Sequence, residues 1–214
     1  MLGTGDVGYN RCRRTLAGEP YYRRWERSVR GLKVREGTME KTQAFENRVL
    51  EALNAATTVR SFMLRAVELL AEAAGILMLQ VFRKDDYAVK YAVEPLMTGS
   101  GPLGDLSVRL KLIYGLGIIS RKEYEDAELL MALGEELTHD EHDYRFTDDE
   151  ILGPIGELHC VSALPAEPPL PADGDSEDRL LIGMRQQRYQ QMVRSTLVLS
   201  LTELISQISL KKAF

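Results

Sequence analysis

Gly101-Pro-Leu-Gly-Asp-Leu-Ser-Val-Arg-Leu-Lys-Leu-Ile-Tyr-Gly-Leu-Gly-Ile-Ile-Ser-Arg-Lys-Glu-Tyr-Glu-Asp-Ala-Glu-Leu-Leu130 reads as loop, helix, tight turn, helix. Gly99, Gly101, Pro102 and Gly104 make an approach that no regular element can span. From Asp105 onward Leu106, Leu110, Ile113, Leu116 and Gly117 fall on one face of a 3.6-residue period. Asp105 suits the N-cap of that helix by its side-chain oxygens and its charge. Gly117 or the residues after it end the helix. Ser120, with Glu123 three residues on, predicts a capping box that opens the next one.

The same periodicity extends in both directions. Phe45, Val49 and Leu53 predict a short amphipathic helix over Thr42 to Leu53. Thr57 or Thr58 starts another that runs to about Arg83. Its second half is apolar nearly all round, which marks it as the central helix. Residues 86–96 carry both period-2 and period-4 spacing; with no partner strand in the chain, they are expected to be helical. Lys122 to Leu137 presents Tyr124, Ala127, Leu130, Met131 and Gly134 inward. Thr147-Asp-Asp-Glu150 reads as a capping box for a short helix, Asp148 to Leu152, that Gly153-Pro154 interrupts. Arg179 to about Lys211 is a long helix with a continuous stripe from Tyr189 to Ile208. The expected fold is all-α: a single multi-helical bundle with a long C-terminal helix and a disordered N-terminal extension.

Domain limits follow composition. Residues 1–38 hold nine basic and four acidic residues, net +5, whereas residues 39–214 hold 18 and 28, net −10. The first segment is therefore expected to be an extension, with Met39 an alternative start, and 39–214 the helical domain. Leu164 to Asp178 contains Pro165, Pro168, Pro169 and Pro171 in an acidic background and reads as an internal linker. Cys12 and Cys160 fit no disulfide or metal spacing. The most apolar stretch, Phe62 to Phe82, contains Arg65, Glu68 and Glu72, so no membrane span is expected, and the reading is cytoplasmic.

Catalytic and ligand motifs fare poorly. Gly99-Ser-Gly-Pro-Leu-Gly104 formally matches G-x-G-x-x-G, but no βαβ unit surrounds it, and Pro102 removes a backbone donor. His139-Asp-Glu-His-Asp143 has metal-like residues, yet a single short segment favours a solvated loop. His159, among Leu158, Cys160 and Val161, reads as a satisfied histidine. No nucleophile motif or P-loop appears, so no enzyme, cofactor or metal is expected. Residues 105–137 have the outline of a helix-turn-helix, but Glu123, Glu125, Asp126, Glu128, Glu135 and Glu136 disqualify the second helix as a groove reader.

The opening stretch also resembles the signature of the bacterial mannitol operon repressor family. Gln43-Ala-Phe-Glu-Asn-Arg-Val-Leu, Gln80-Val-Phe-Arg-Lys-Asp-Asp-Tyr, Phe146-Thr-Asp-Asp-Glu-Ile-Leu and Leu199-Ser-Leu-Thr-Glu-Leu-Ile-Ser extend the likeness from about Met39 to Phe214. The resemblance implies an all-helical homodimeric regulator that lowers expression of mannitol uptake and catabolic genes, without a standard DNA-binding motif. Joined to the acidic body, it favours repression through an unidentified protein partner. Asp105, Arg109 and Lys111 beside the Gly101–Asp105 loop are the expected partner or ligand surface. The alternative is direct operator binding through the N-terminal arm or through Arg185, Arg188 and Arg194.

Overall fold

A computed structural model describes residues 42–82, 87–98, 101–167 and 176–211; the N-terminal extension and most of the proline-rich stretch lie outside these. Seven helices are described: α1 (42–55), α2 (Val59–Val81), α3 (Tyr87–Met97), α4 (Leu106–Gly115), α5 (Arg121–His139), α6 (Asp149–Glu157) and α7 (Ser176–Leu210). No described residue is in a strand, so the all-helical expectation holds, including for residues 87–97.

Helix α2 is the hub. Thr58 and Ser61 cap its start reciprocally, side chain to backbone in both directions. Ten of its side chains are buried, Phe62, Met63, Leu70, Leu77 and Met78 completely. Burying a large apolar side chain contributes about 1.5–3 kcal/mol, so this helix supplies much of the core. It packs against α4, α5 and α7. The crossing with α5 is tight: a Cβ added at Gly134 would sit 3.0 Å from Val67 Cγ2.

The loop-helix-turn-helix stretch forms as its residues dictate. Gly101 folds back onto the end of α3, where an added Cβ would lie 2.3 Å from the Leu96 carbonyl oxygen, so only glycine fits there. Asp105 caps α4 by accepting from the Ser107 N–H at 2.8 Å. The helix closes with Gly117 at φ 71°. Gly117 N–H donates to Tyr114 O and Ile118 N–H to Ile113 O, the paired bonds of a Schellman end. Ser120 and Glu123 then form the expected capping box.

Three local expectations are corrected. Leu116 belongs to the cap of α4 and is 40% exposed, while Ile119, off the stripe, is buried. The helix after Phe146 is continuous through Gly153-Pro154. Pro154 forgoes only the bond to the carbonyl of Glu150, an exposed residue whose oxygen solvent can take. The box at Thr147 does not form either: Asp148 is the N-cap, and its carboxylate instead accepts from the Arg145 N–H.

Candidate functional site

The residues singled out in α4 separate by role. Asp105 and Lys111 are exposed, with Val108 exposed between them. Arg109 turns inward. Its guanidinium donates to Ala71 O at 3.0 Å and to Gly104 O at 3.2 Å, tying the glycine loop to the middle of α2. Gly75 leaves the room: a Cβ there would approach Arg109 Nη1 to 3.3 Å. Burial draws the Arg109 pKa down and Asp105 partly offsets it.

The same use of arginine recurs twice. Arg60 donates to the carbonyls of Asp140 and His142, steadying the His139–Asp143 segment beyond α5. Arg194 donates to Asn54 O and Ala56 O at 2.7 and 2.6 Å, closing the C-terminal end of α1. In all three the Nε is buried without a partner; the carbonyl bonds fix the guanidinium plane and leave that third donor stranded. Of the three arginines assigned to DNA contact, Arg194 is therefore committed to backbone, whereas Arg185 and Arg188 are exposed on the first half of α7. In the His139–Asp143 segment, Asp140 accepts from His142 N–H and from the Tyr144 hydroxyl at 2.5 Å. Those bonds, the Tyr144 one foremost, hold its carboxyl below the ordinary range, and push the Tyr144 phenol up to about 12.

The most elaborate polar cluster was not anticipated. Asp126, only 2% exposed, sits on the inner face of α5. Its carboxylate accepts from the backbone N–H of His159 at 2.7 Å and of Cys160 at 2.9 Å. It also pairs with His159 Nδ1 at 2.9 Å. A carboxylate oxygen only accepts, so Nδ1 donates, and Nε2 lies 3.7 Å from Glu125. Burial, with Asp126 close by, pushes the Cys160 thiol up to about 12, which disfavours the thiolate. These groups line a cleft of about 350 Å³ between the start of α5, the segment after α6 and the last turns of α7.

Across the cleft Lys211 reaches Glu123 at 2.5 Å. Burial alone would raise the Glu123 pKa, but the bonds from Lys211 and Ser120 outweigh it and hold the carboxyl below its usual value. A trace of this cluster is visible in sequence: Asp126 shares a face with Leu130 and Leu133, an acid inside an apolar stripe. A histidine held by a buried acid can accept a proton or a hydrogen bond. Glu125 and Glu203 lie around it, Lys122 is among the residues lining the cleft, and Glu123 is paired with Lys211.

Comparison with known proteins places this architecture. The mannitol repressor family model matches residues 45–209. A protein of Escherichia coli K12 named mannitol operon repressor is 74% identical over 180 residues, covering 84% of this chain and 90% of its own. Another from the same organism, named fumarase E, is 35% identical over 118 residues, 55% of this chain and 70% of that protein. Among solved structures, the X-ray structure of the MtlR-HPr complex from Escherichia coli contains a chain 73% identical, matched over 78% of this one and 99% of its own with a TM-score of 0.72. The loop-helix-turn-helix stretch, the hub helix and the long α7 are thus those of the mannitol repressor family, and this chain belongs to it.

Proposed function

We propose that this protein represses a mannitol operon from the cytoplasm by binding another protein, and that it does so as a homodimer. The observation that carries the reading is 74% identity, over most of the chain, to a protein named mannitol operon repressor. The similar chain solved in complex with HPr supports the partner: HPr is the proposed ligand. The surface chemistry supports protein contact over duplex contact. Glu128, Glu135, Glu136, Glu141 and Asp143 are exposed along and beyond α5, and a polyanion is repelled by such a face. Lys111, Asp105 and the Gly101–Asp105 loop remain the proposed contact surface, with Arg109 holding the loop in place behind them.

The test is titration calorimetry of the full chain with purified HPr, together with a mannitol-promoter reporter in a strain lacking the repressor. Binding plus restored repression is expected. Saturable repression with no HPr binding would remove the proposed partner. Direct operator binding through Arg185 and Arg188 is the competing reading; it requires affinity for promoter DNA that falls steeply with salt as counterions are released.

The likeness to a protein named fumarase E raises a second role, and we assign this chain none. Both carboxylate oxygens of Asp126 are spent on the 159–160 backbone and the imidazole, which leaves that acid no lone pair aimed at a substrate. No hydration of fumarate above background is expected in an ultraviolet absorbance assay; a saturable rate abolished by His159→Ala would make the cleft an active site.

A further inference from the structure

The cleft beside Asp126 holds more order than its place in the fold requires. Two backbone bonds to Asp126 already fix the 159–160 segment. The third bond, from His159 Nδ1 at 2.9 Å, orients a side chain that is 39% exposed, too open to water to serve as core. On α7, Gln207 Nε2 donates to Glu203 Oε1 at 2.9 Å, so two exposed side chains one turn apart are held against each other. Lys211 and Glu123 tie the end of α7 to the start of α5. Polar groups fixed in advance by their own bonds are what a preformed ligand site presents.

The lining selects the ligand. At about 350 Å³ the cleft falls at the low end of the roughly 300–1,000 Å³ of small-molecule sites. Such sites are lined mostly by apolar side chains, but here Leu204 is the one aliphatic residue among the described residues that line it. A ligand with a large apolar face finds little to pack against. Lys122 and Ser162, which make no hydrogen bond or ion pair among the described residues, offer donors. The Glu203 carboxylate and the Gln207 carbonyl offer acceptors. An anion meets Glu203 and a cation meets Lys122. A compact neutral molecule whose hydroxyls each donate and accept finds a partner for every group.

We infer that this cleft binds a neutral polyol, with hydroxyls donating to Glu203 and Gln207 and accepting from Lys122 and Ser162. The inference rests on the mannitol-repressor reading for its probe, and it gives that repressor an effector site separate from the Gly101–Asp105 loop.

Titration calorimetry and thermal unfolding of the full chain test it, with mannitol, glucitol and mannitol 1-phosphate as probes. Saturable mannitol binding and a raised Tm are expected. Glu203→Ala should weaken binding about ten-fold or more, the loss of a hydrogen bond to a charged group, and Ser162→Ala about three-fold. Both positions are exposed, so far-UV circular dichroism should not change. Arg65→Ala, outside the cleft, should bind as wild type. Neither heat nor a Tm shift with either polyol overturns the inference. So does mannitol binding that both cleft variants leave intact, because the site is then elsewhere. Tighter binding of the phosphate ester, lost in Lys122→Ala, makes this an anion site and overturns the polyol class. The promoter reporter separates the two readings: mannitol binding by a chain that does not repress sinks the repressor and leaves the cleft site, and repression without polyol binding does the reverse.

Discussion

Replacing Asp126 by alanine removes the anchor of the segment between α6 and the proline-rich stretch. Two backbone N–H groups and one imidazole N–H then lose their acceptor. A buried donor left without a partner costs about 1–3 kcal/mol. The His159 side chain is 39% exposed and regains water, so most of the penalty comes from the two amides, giving about 2–5 kcal/mol in all. Against a typical total stability of about 5–15 kcal/mol this is severe. For a domain of this size each kcal/mol moves Tm by about 2–4 °C, so a fall of roughly 4–20 °C is expected. Asp126→Asn keeps one acceptor oxygen but turns an amide toward the other donor; it should fall between alanine and wild type. Urea unfolding followed by circular dichroism measures both, with the midpoint lowered and the slope unchanged. If alanine costs less than about 1 kcal/mol, the lower edge of what an unmade buried bond costs, the network is not holding this segment, and the reasoning fails.

Lys211→Met should destabilise at neutral pH by about 1.5–3 kcal/mol, the range for hydrogen bonds to charged groups. Glu123 has its carboxyl pKa held below the ordinary 4.5, so its contribution is complete above that value and is lost as pH falls through the folded-state pKa. Unfolding midpoints of wild type and variant should therefore converge between pH 5 and the acid limit; a gap that persists undiminished refutes the pairing. Gly134→Ala adds a methyl where Val67 Cγ2 is 3.0 Å away, and the strain of overpacking, about 1–3 kcal/mol, should exceed the roughly 1 kcal/mol gained in helix propensity; a raised Tm would show the α2–α5 crossing to be slack. Arg194→Ala should lower stability by unpinning α1, while Arg188→Ala leaves the monomer's unfolding unchanged, read by urea titration at low protein concentration.

Much of the fold was legible because the informative signals are local. A cap, a periodic stripe and a terminating glycine each act within a few residues, so Asp105, Ser120 with Glu123, and Gly117 marked their boundaries from sequence. Pro154 misled because its cost depends on where in the helix it falls and on whether the freed carbonyl meets solvent. Asp126 was counted with the acids of an exposed face because its partners, His159 and Cys160, lie more than thirty residues away. Arg109 and Arg194 looked like free cations for the same reason: the carbonyls of Ala71, Asn54 and Ala56 that they serve lie far away in sequence.

Helix positions, the central place of α2 and the excess of acid in the body were determined by the sequence itself, since they depend on spacing and composition. Which charges are spent inside the molecule and which remain outside was decided only by packing. A guanidinium committed to carbonyls and one free to meet a partner have the same chemistry until the chain brings, or fails to bring, an acceptor to it. That is why Arg194 closes α1 while Arg188, six residues earlier on the same helix, stands on the face left open.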